Sequence, residues 1–494
     1  MMYKISLLLL LAIAAPAAHA QSVEQLWATG INDFPGLPGY GNLLIRFSEN
    51  GIKVEPAQLG MNFESTMAAA TDSAGRLLFY TNGCYIANAD GQPMPQGGGL
   101  NPGDMHARTC PTVGYTSPLG AMVLPMPGST QLYFLFHMGL RYEEEKSLAY
   151  GPFYYTIVDM SLGGGKGEVV SKNNILADGR LEPFTAVRHG NGRDWWLVVP
   201  EYGSNRYHSF LLSPSGVKHA DTQKIGEALS CGTIGSSAFA LNGTRYARQQ
   251  NCAVEIMDFD RCSGHFSQPI TLAMPPQVFG GGGVAFSPDG SRVFTSTQLC
   301  ILEADLSKAN PQLDTIVDWL TVAGNNLHLM QYGPDGKIYM SSLSRSPFYH
   351  VIQSPSSSGT AFGFAPRQFK LPVTSVRTLP NVPNFRLGDL HGSPCDTLGI
   401  TPVHEPLAAA PLSVTLSPNP AHTEATLRDH SPQSVAQERR WRLYTPAGQV
   451  LRSGTLPPGQ AEQRLDLSTL PAGLYLWELL RSDGGRVGGR VVRK

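Results

Sequence analysis

The 494-residue sequence has little charge, and after its first twenty residues it has no apolar run long enough to span a membrane. Only 15% of the residues are charged and the formal net charge is −1. This balance excludes bulk electrostatic attraction to nucleic acid or to an anionic membrane surface. Helical periodicity is nearly absent after residue 30. We therefore expect neither a nucleic-acid-binding protein nor a transmembrane segment.

Motifs of common catalytic and metal sites are also absent. The sequence contains no G-x-S-x-G nucleophile elbow, no H-E-x-x-H, no P-loop and no EF-hand loop. It has no C-x-x-C pair of the kind that holds zinc. The glycine run at 280–283 precedes a predicted strand, whereas a phosphate-binding loop precedes a helix. We assign no catalytic residue, no metal ligand and no cofactor from the sequence.

Residues 1–20 have the pattern of a secretory signal peptide. Lys4 supplies the positive charge, residues 5–15 form a short apolar core, and Ala18-His19-Ala20 has the form of a cleavage site. We expect the mature chain to begin at Gln21 in an oxidising compartment.

A short turn pattern recurs along most of the chain. Pro288-Asp289-Gly290 and Pro334-Asp335-Gly336 each follow an apolar run and precede alternating residues, a pattern typical of tight β-hairpins. Weaker copies place the turn glycines 46 to 64 residues apart. The six glycines are Gly75, Gly128, Gly192, Gly243, Gly290 and Gly336.

A repeat of this length with hairpins is typical of a β-propeller, because a single four-stranded sheet cannot bury both of its faces alone. We predict an all-β propeller of six or seven four-stranded blades over residues 21–395, and we favour seven. In that arrangement strands at 26–29 and 43–47 complete a seventh blade with a strand at Val382–Leu387, which removes exposed sheet edges.

The seven cysteines follow the same repeat. Cys84, Cys252 and Cys300 each lie nine or ten residues after the turn glycine of their unit, so we expect them in equivalent loops. Cys110 and Cys231 lie in connections that emerge on the same face. We predict disulfides Cys84–Cys110 and Cys231–Cys252, and the odd count leaves at least one cysteine unpaired.

The chain changes character after the repeats. Residues 396–411 are rich in proline without any period, which predicts a semi-rigid linker. Residues 412–494 contain about seven short alternating strands, a pattern that favours a small immunoglobulin-like β-sandwich.

The last module carries a set of motifs in a fixed order. These are Ser417-Pro418-Asn419-Pro420-Ala421, Tyr444-Thr445-Pro446-Ala447-Gly448, Leu470-Pro471-Ala472-Gly473-Leu474-Tyr475 and a basic last strand that ends at Lys494. The module resembles the type A C-terminal sorting domain of the type IX secretion system of Bacteroidota. The resemblance implies export through the periplasm, recognition by the outer-membrane translocon, and removal by a sortase-like peptidase. It further implies either attachment to lipopolysaccharide at the cell surface or release.

The preceding repeats are similar to propellers of surface proteins in the same bacteria. The similarity is carried by Asp72–Gly83, Gly97–Leu100, Tyr154–Met160 and Leu379–Phe385. It implies no particular reaction.

Candidate ligand contacts are aromatic residues in predicted blade loops, where a ring can stack on a sugar or on a partner protein. They are Tyr202, Tyr207, Phe348 and Tyr349, and ordinary packing is the alternative interpretation. Asp159, Asp258, Asp260 and Asp305 recur at the ends of outer strands, where we expect them to cap turns.

Two classes of function stay open, besides a purely structural component of a surface layer. The first is a secreted or surface-bound propeller that binds a glycan or a protein. The second is an extracellular hydrolase or lyase whose site lies in the propeller channel. Converging carboxylates or a metal in the channel would favour the enzyme, and a channel plugged by apolar side chains would favour binding.

Overall fold

Seven antiparallel sheets follow one another along residues 26–375 of the computed structural model. The structure describes residues 25–32, 38–48, 50–142, 148–232, 235–276, 280–318, 327–396, 414–430, 438–445, 450–481 and 486–494. Contacts between the first strands of neighbouring sheets arrange these sheets radially as the blades of a propeller. The predicted signal peptide at 1–20 and all of the predicted linker except residue 396 lie outside the described residues.

The described strands give the first blade three strands and each of the other six blades four. Blade 1 comprises β1 (Leu26–Ile31), β2 (Gly41–Ser48) and β3 (Gly51–Ala57), and blade 2 comprises β4 (Ala68–Thr71), β5 (Leu77–Thr81), β6 (Tyr85–Asn88) and β7 (Pro93–Gly98). Blade 3 comprises β8 (Ala121–Pro125), β9 (Leu132–Tyr142), β10 (Leu148–Asp159) and β11 (Glu168–Ala177). Blade 4 comprises β12 (Thr185–Arg188), β13 (Trp195–Pro200), β14 (Arg206–Ser213) and β15 (Gly216–Lys224).

Blade 5 comprises β16 (Ser236–Phe239), β17 (Arg245–Gln249), β18 (Ala253–Phe259) and β19 (Phe266–Ala273). Blade 6 comprises β20 (Val284–Phe286), β21 (Arg292–Ser296), β22 (Cys300–Asp305) and β23 (Asp314–Asp318). Blade 7 comprises β24 (Leu327–Tyr332), β25 (Ile338–Ser342), β26 (Ser346–Ile352) and β27 (Phe364–Ser375). Helix α1 (Asp104–Thr109) connects blades 2 and 3, and short 3-10 turns lie at Gly163–Gly165 and Gly359–Phe362.

All six predicted turn glycines lie between the first and second strands of blades 2 to 7. Their φ angles are between 71° and 79°, a region that residues with a Cβ atom rarely adopt. In blade 6 the Gly290 N–H donates to the Ser287 carbonyl at 2.9 Å, which closes the turn. The predicted hairpin repeat is confirmed.

We name the two faces of the propeller by the loops that lie on them. The turn face carries these glycine turns and also the turns between third and fourth strands. The connection face carries the connections between blades and the loops between second and third strands, since adjacent strands are antiparallel.

The ring closes by packing of blade 1 against blade 7. The Trp27 ring lies 5.3 Å from the Tyr339 ring, centroid to centroid. The Thr29 and Ser375 hydroxyl oxygens lie 2.8 Å apart across the same interface. Among the described strands, blade 1 consists of the N-terminal strands β1, β2 and β3.

The prediction that Val382–Leu387 adds a strand to this blade is wrong. In the described chain this stretch has no strand and instead lies in the central channel. Pro380 and Pro383 have no N–H groups, so the segment is poorly suited to a sheet ladder.

The C-terminal residues form a separate two-sheet sandwich, as predicted. Its strands are β28 (Val414–Ser417), β29 (Glu424–Asp429), β30 (Arg439–Tyr444), β31 (Val450–Leu456), β32 (Glu462–Asp466), β33 (Gly473–Arg481) and β34 (Arg486–Arg493). One sheet has the order β28-β29-β32 and the other β31-β30-β33-β34. Trp441, Trp477 and Leu443 lie in the core between the sheets.

Candidate functional site

Residues 376–395, here called the channel segment, cross the axis of the propeller from one face to the other. At the connection face Arg377 Nη2 lies 3.3 Å from Glu64 Oε1, and the Thr378 hydroxyl donates to the Phe63 carbonyl. Both partners lie in the connection between blades 1 and 2. The segment therefore passes into the channel beside blade 1.

Two asparagine side chains hold the channel segment inside the ring. Asn381 Nδ2 donates to the carbonyls of Leu119 and Phe184, each at 2.8 Å, just before the first strands of blades 3 and 4. Asn384 Nδ2 donates to the Leu241 carbonyl at 2.8 Å, in the first turn of blade 5. These bonds satisfy carbonyl groups that lie outside the sheet ladders.

Arg261 holds the segment where it leaves the channel at the turn face. Its side chain is buried, and its guanidinium donates to the carbonyls of Arg188 at 2.8 Å and His189 at 3.2 Å, and also to that of Gly388. Burial lowers the pKa of Arg261 to about 10, so the side chain stays charged at neutral pH. The cation thus binds blade 4 to the channel segment through carbonyl dipoles.

A cavity of about 220 Å³ remains between the channel segment and the inner strands of blades 4 to 7. The space exists because four residues of its wall have small side chains: Ala186, Ala238, Ala240 and Ala285. Polar groups at its wall include Thr185, Gln331 and Asn384, and Arg386 contributes a charge. The Tyr332 hydroxyl donates to the Phe286 carbonyl at 2.6 Å, so it bridges neighbouring blades.

The cavity wall has little capacity for acid–base chemistry. Among its lining residues in the described part of the chain there is no carboxylate, imidazole or thiol. Glycoside and peptide hydrolysis commonly depend on such groups as acid, base or nucleophile. The described wall therefore offers hydroxyl, amide and guanidinium groups to a ligand.

A buried polar network lies between blades 4 and 5, and sequence reasoning missed it. Arg248 pairs with Glu182 through Nε–Oε2 at 2.6 Å and Nη2–Oε1 at 2.9 Å. The Tyr207 hydroxyl donates to Glu255, and Gln250 donates to Glu182. Burial raises the pKa of both Glu182 and Glu255, although Arg248 opposes this shift at Glu182. All these side chains are closed to solvent, which makes the network a blade-to-blade contact.

The four predicted ligand-contact aromatics divide into two pairs. Tyr202 and Phe348 are half-buried, and each has an arginine over its ring: Arg180 at 4.3 Å and Arg367 at 5.3 Å from the ring centroid. For Tyr207 and Tyr349 the prediction is wrong, because both are buried, with 0% and 2% exposure. Their rings point into the blade interfaces, since both faces of a propeller blade are covered by neighbours.

The structure contains the two disulfides that the loop alignment predicts, Cys84–Cys110 and Cys231–Cys252. A third, Cys262–Cys395, connects the outer turn of blade 5 to the end of the channel segment across 133 residues. Cys300 is free and buried. The third pair was missed because nothing in the repeat relates Cys395, which directly precedes the predicted linker, to a blade.

His106 lies with Cys84 and Cys110 in an arrangement whose ligand atoms are within 4.8 Å of one another. The two sulfur atoms are bonded to each other, so they are not available as thiolate ligands. We assign this cluster to the disulfide and not to a metal.

In the sandwich the structure joins two motifs that are far apart in sequence. Asn419 Nδ2 donates to the Arg490 carbonyl at 3.0 Å, and Asn419 Oδ1 accepts the Val492 N–H at 2.9 Å. Pro418 and Pro420 flank this asparagine in the turn that follows β28. The turn thus holds the last strand through a side chain.

The remaining motif residues lie around the same strand. The Tyr475 hydroxyl donates to the Pro471 carbonyl at 2.6 Å, and the Lys494 N–H donates to the Ala421 carbonyl at 2.8 Å. Leu470 packs against the sandwich core, Ala472 is exposed, and Gly473 begins β33. Gly448 lies outside the described residues.

No protein-family model and no curated protein matches this chain. Among solved structures, AztD from Citrobacter koseri is similar at 10% identity over 71% of this chain and 96% of that chain, with a TM-score of 0.34. Hsv2 from Kluyveromyces lactis is similar at 8% identity over 67% of this chain and 90% of that chain, with a TM-score of 0.32. Likeness at this level carries no argument about activity. The strand order itself defines the class, a seven-bladed β-propeller followed by a β-sandwich.

Proposed function

We propose that this protein is a secreted or cell-surface propeller that binds a glycan or a protein, and that a type IX secretion system exports it. The observation that carries the binding role is the central cavity, whose described wall contains no carboxylate, imidazole or thiol. A channel segment occupies the axis where an extended substrate would have to pass.

Three disulfides support an oxidising compartment, since such bonds form and persist outside the cytosol. None of the helices among the described residues is long and apolar enough to cross a membrane. The sandwich with its clustered motif residues supports the role of an address that the translocon and a sortase-like peptidase recognise. Lipopolysaccharide attachment and release are the two fates that this route offers.

Export is tested by deleting residues 412–494 in a bacterium that has the secretion system. We expect the truncated chain to accumulate in the periplasm while the full chain appears at the cell surface or in the medium. Appearance of the truncated chain outside the cell at the level of the full chain would contradict the sorting role.

Ligand binding is tested by applying the mature full-length chain to a glycan array. We expect Arg386→Ala in the cavity wall to weaken the binding, and Tyr202→Ala or Phe348→Ala to weaken contacts made outside the cavity, because both rings are partly accessible. Ile270→Ala is the matched control, since Ile270 is 37% exposed on an outer strand of blade 5. Absence of binding to any glycan or surface protein, together with turnover of a polysaccharide or peptide, would favour the enzyme instead.

A further inference from the structure

Part of the outer face of the sandwich's four-stranded sheet is an apolar patch, although an isolated sandwich needs only its inner faces apolar. In β33 the side chains of Tyr475 and Trp477 point into the sandwich core. Leu474 and Leu476 alternate with them and therefore point away from that core. Leu474 is 3% exposed because it packs within the propeller core cluster, with Leu476 and Val492 beside it.

An ion pair fixes this contact. Arg490, on β34, places Nε 3.0 Å from Asp159 Oδ2, and its guanidinium also donates to the Ser161 hydroxyl. Asp159 ends β10 on the turn face of blade 3, and its side chain has 0% exposure. A carboxylate that is fully buried needs a charged or hydrogen-bonded partner, so the arginine compensates its burial.

The turn between the third and fourth strands of blade 6 is the comparison for the same turn of blade 3. Asp305 Oδ1 accepts the Ser307 N–H at 3.0 Å and the Ser307 hydroxyl at 2.6 Å. Asp159 Oδ1 accepts the same two groups of Ser161 at 2.9 Å and 2.7 Å. Both aspartates thus cap their turns as predicted, yet the Asp305 side chain is 26% exposed. Asp159, which pairs with the sandwich, is thus fully buried, whereas its counterpart in blade 6 is not.

We propose that blade 3 is an intramolecular docking site for the last sheet of this chain, and that docking occludes the outer face of β34. Leu474, Leu476, Arg490 and Val492 cannot contact blade 3 and a second protein at the same time. The consequence for export rests on the proposed function, because β34 carries the basic residues that the translocon would recognise. In that case undocking precedes recognition.

Docking is tested by charge exchange in the mature full-length chain, with hydrogen–deuterium exchange of residues 161–167 as the measurement. We expect Arg490→Asp and Asp159→Arg each to speed exchange of these amides by about tenfold or more. The double variant Asp159→Arg/Arg490→Asp recovers part of the lost protection, because the ion pair re-forms with reversed charges while the turn cap by Asp159 stays absent. Asp305→Arg in blade 6 is the matched control for loss of a turn cap alone, and its effect on exchange of the capped residue Ser307 gives the size of that contribution. Unchanged exchange in both single variants, or no recovery in the double variant, would overturn the docking site.

The effect on export is tested with Asp159→Arg, which leaves the sandwich sequence intact. We expect the ratio of exported to periplasmic protein to rise at least about twofold early after synthesis, relative to the Asp305→Arg control. An unchanged ratio, in cells where deletion of residues 412–494 blocks export, would overturn the masking of β34 and leave the sorting role standing. Export that survives the deletion would instead contradict the sorting role itself.

Discussion

Asn419 bonds the backbone on both sides of Val491: its amide nitrogen donates to the carbonyl of Arg490, 71 residues away, and its amide oxygen accepts the N–H of Val492, 73 residues away. The Asn419 side chain thus makes the pair of hydrogen bonds that a neighbouring β-strand would make with β34. Because β34 is the edge of its sheet, this amide covers backbone groups that would otherwise stay open for pairing with another chain. The motif turn and the last strand therefore form one structural unit.

Replacement of Asn419 by alanine removes both bonds. We expect Asn419→Ala to lower the free energy of unfolding of the sandwich by about 1–3 kcal/mol, at 0.5–1.5 kcal/mol for each bond. Hydrogen exchange of the Val492 amide in the full chain measures the change. Gln463→Ala is the control, because this amide donates to the adjacent Arg464 carbonyl on an exposed surface. Equal effects of the two substitutions would contradict the role of Asn419.

Removal of the third disulfide is expected to loosen the channel segment. Cys262→Ser/Cys395→Ser opens a covalent loop of 133 residues, and loss of such a cross-link costs about 2–4 kcal/mol. Denaturant unfolding measures the loss, and exchange of residues 384–392 reports where it acts. Cys300→Ser is the control, since Cys300 is free and forms no cross-link. A double variant as stable as the control would show that Asn381, Asn384 and Arg261 hold the segment without the disulfide.

The turn glycines give a test of the blade repeat. At Gly336 φ is 79° and no atom lies within 4 Å of the position that a Cβ atom would occupy, so only the backbone conformation opposes a side chain. We expect Gly336→Ala to destabilise the propeller by about 1 kcal/mol, the ordinary cost of that conformation for a residue with a Cβ atom. Gly98→Ala is the control, because Gly98 has equal space and no positive φ. Thermal unfolding of both variants measures the change in stability. A Gly336→Ala variant as stable as the native protein would contradict the assigned turn.

The buried network predicts a pH dependence. Burial raises the pKa of Glu255 in the folded state, so its stabilising contribution is present below the unfolded pKa and is lost as pH rises through the folded pKa. We expect the unfolding free energy of Glu255→Gln, relative to the native protein, to increase as pH rises from about 4 to 8. Any constant offset reflects the loss of one of the two carboxylate oxygens that accept from the Glu227 N–H and the Tyr207 hydroxyl, and it does not affect this slope. A difference that is flat with pH would contradict the raised pKa.

Local patterns in the sequence were sufficient for the repeat and for two disulfides. A Pro-Asp-Gly turn such as that at Gly290 closes within four residues, so its geometry depends on neighbours in sequence. The number of residues from the turn glycine of each blade to Cys84 or to Cys252 places both cysteines in equivalent loops. Their disulfide partners lie 26 and 21 residues away. The strands of the sandwich were readable for the same reason, since alternation is a local property.

The parts that the sequence left open all depend on contacts between distant segments. Val382–Leu387 has the apolar composition of a strand, but only the closed ring makes a channel for it to cross. Tyr207 has the same local setting as Tyr202, and only the packing of blade 5 on blade 4 buries one of them.

The sequence by itself therefore determined the blade units, their turns and the separate C-terminal sandwich, because these arise from interactions within about fifty residues. The tertiary structure decided the path of the channel segment, the Cys262–Cys395 bond and the pairing of Arg490 with Asp159. Each of these joins residues more than a hundred positions apart, and such pairs are specified by the assembled ring and not by any local pattern.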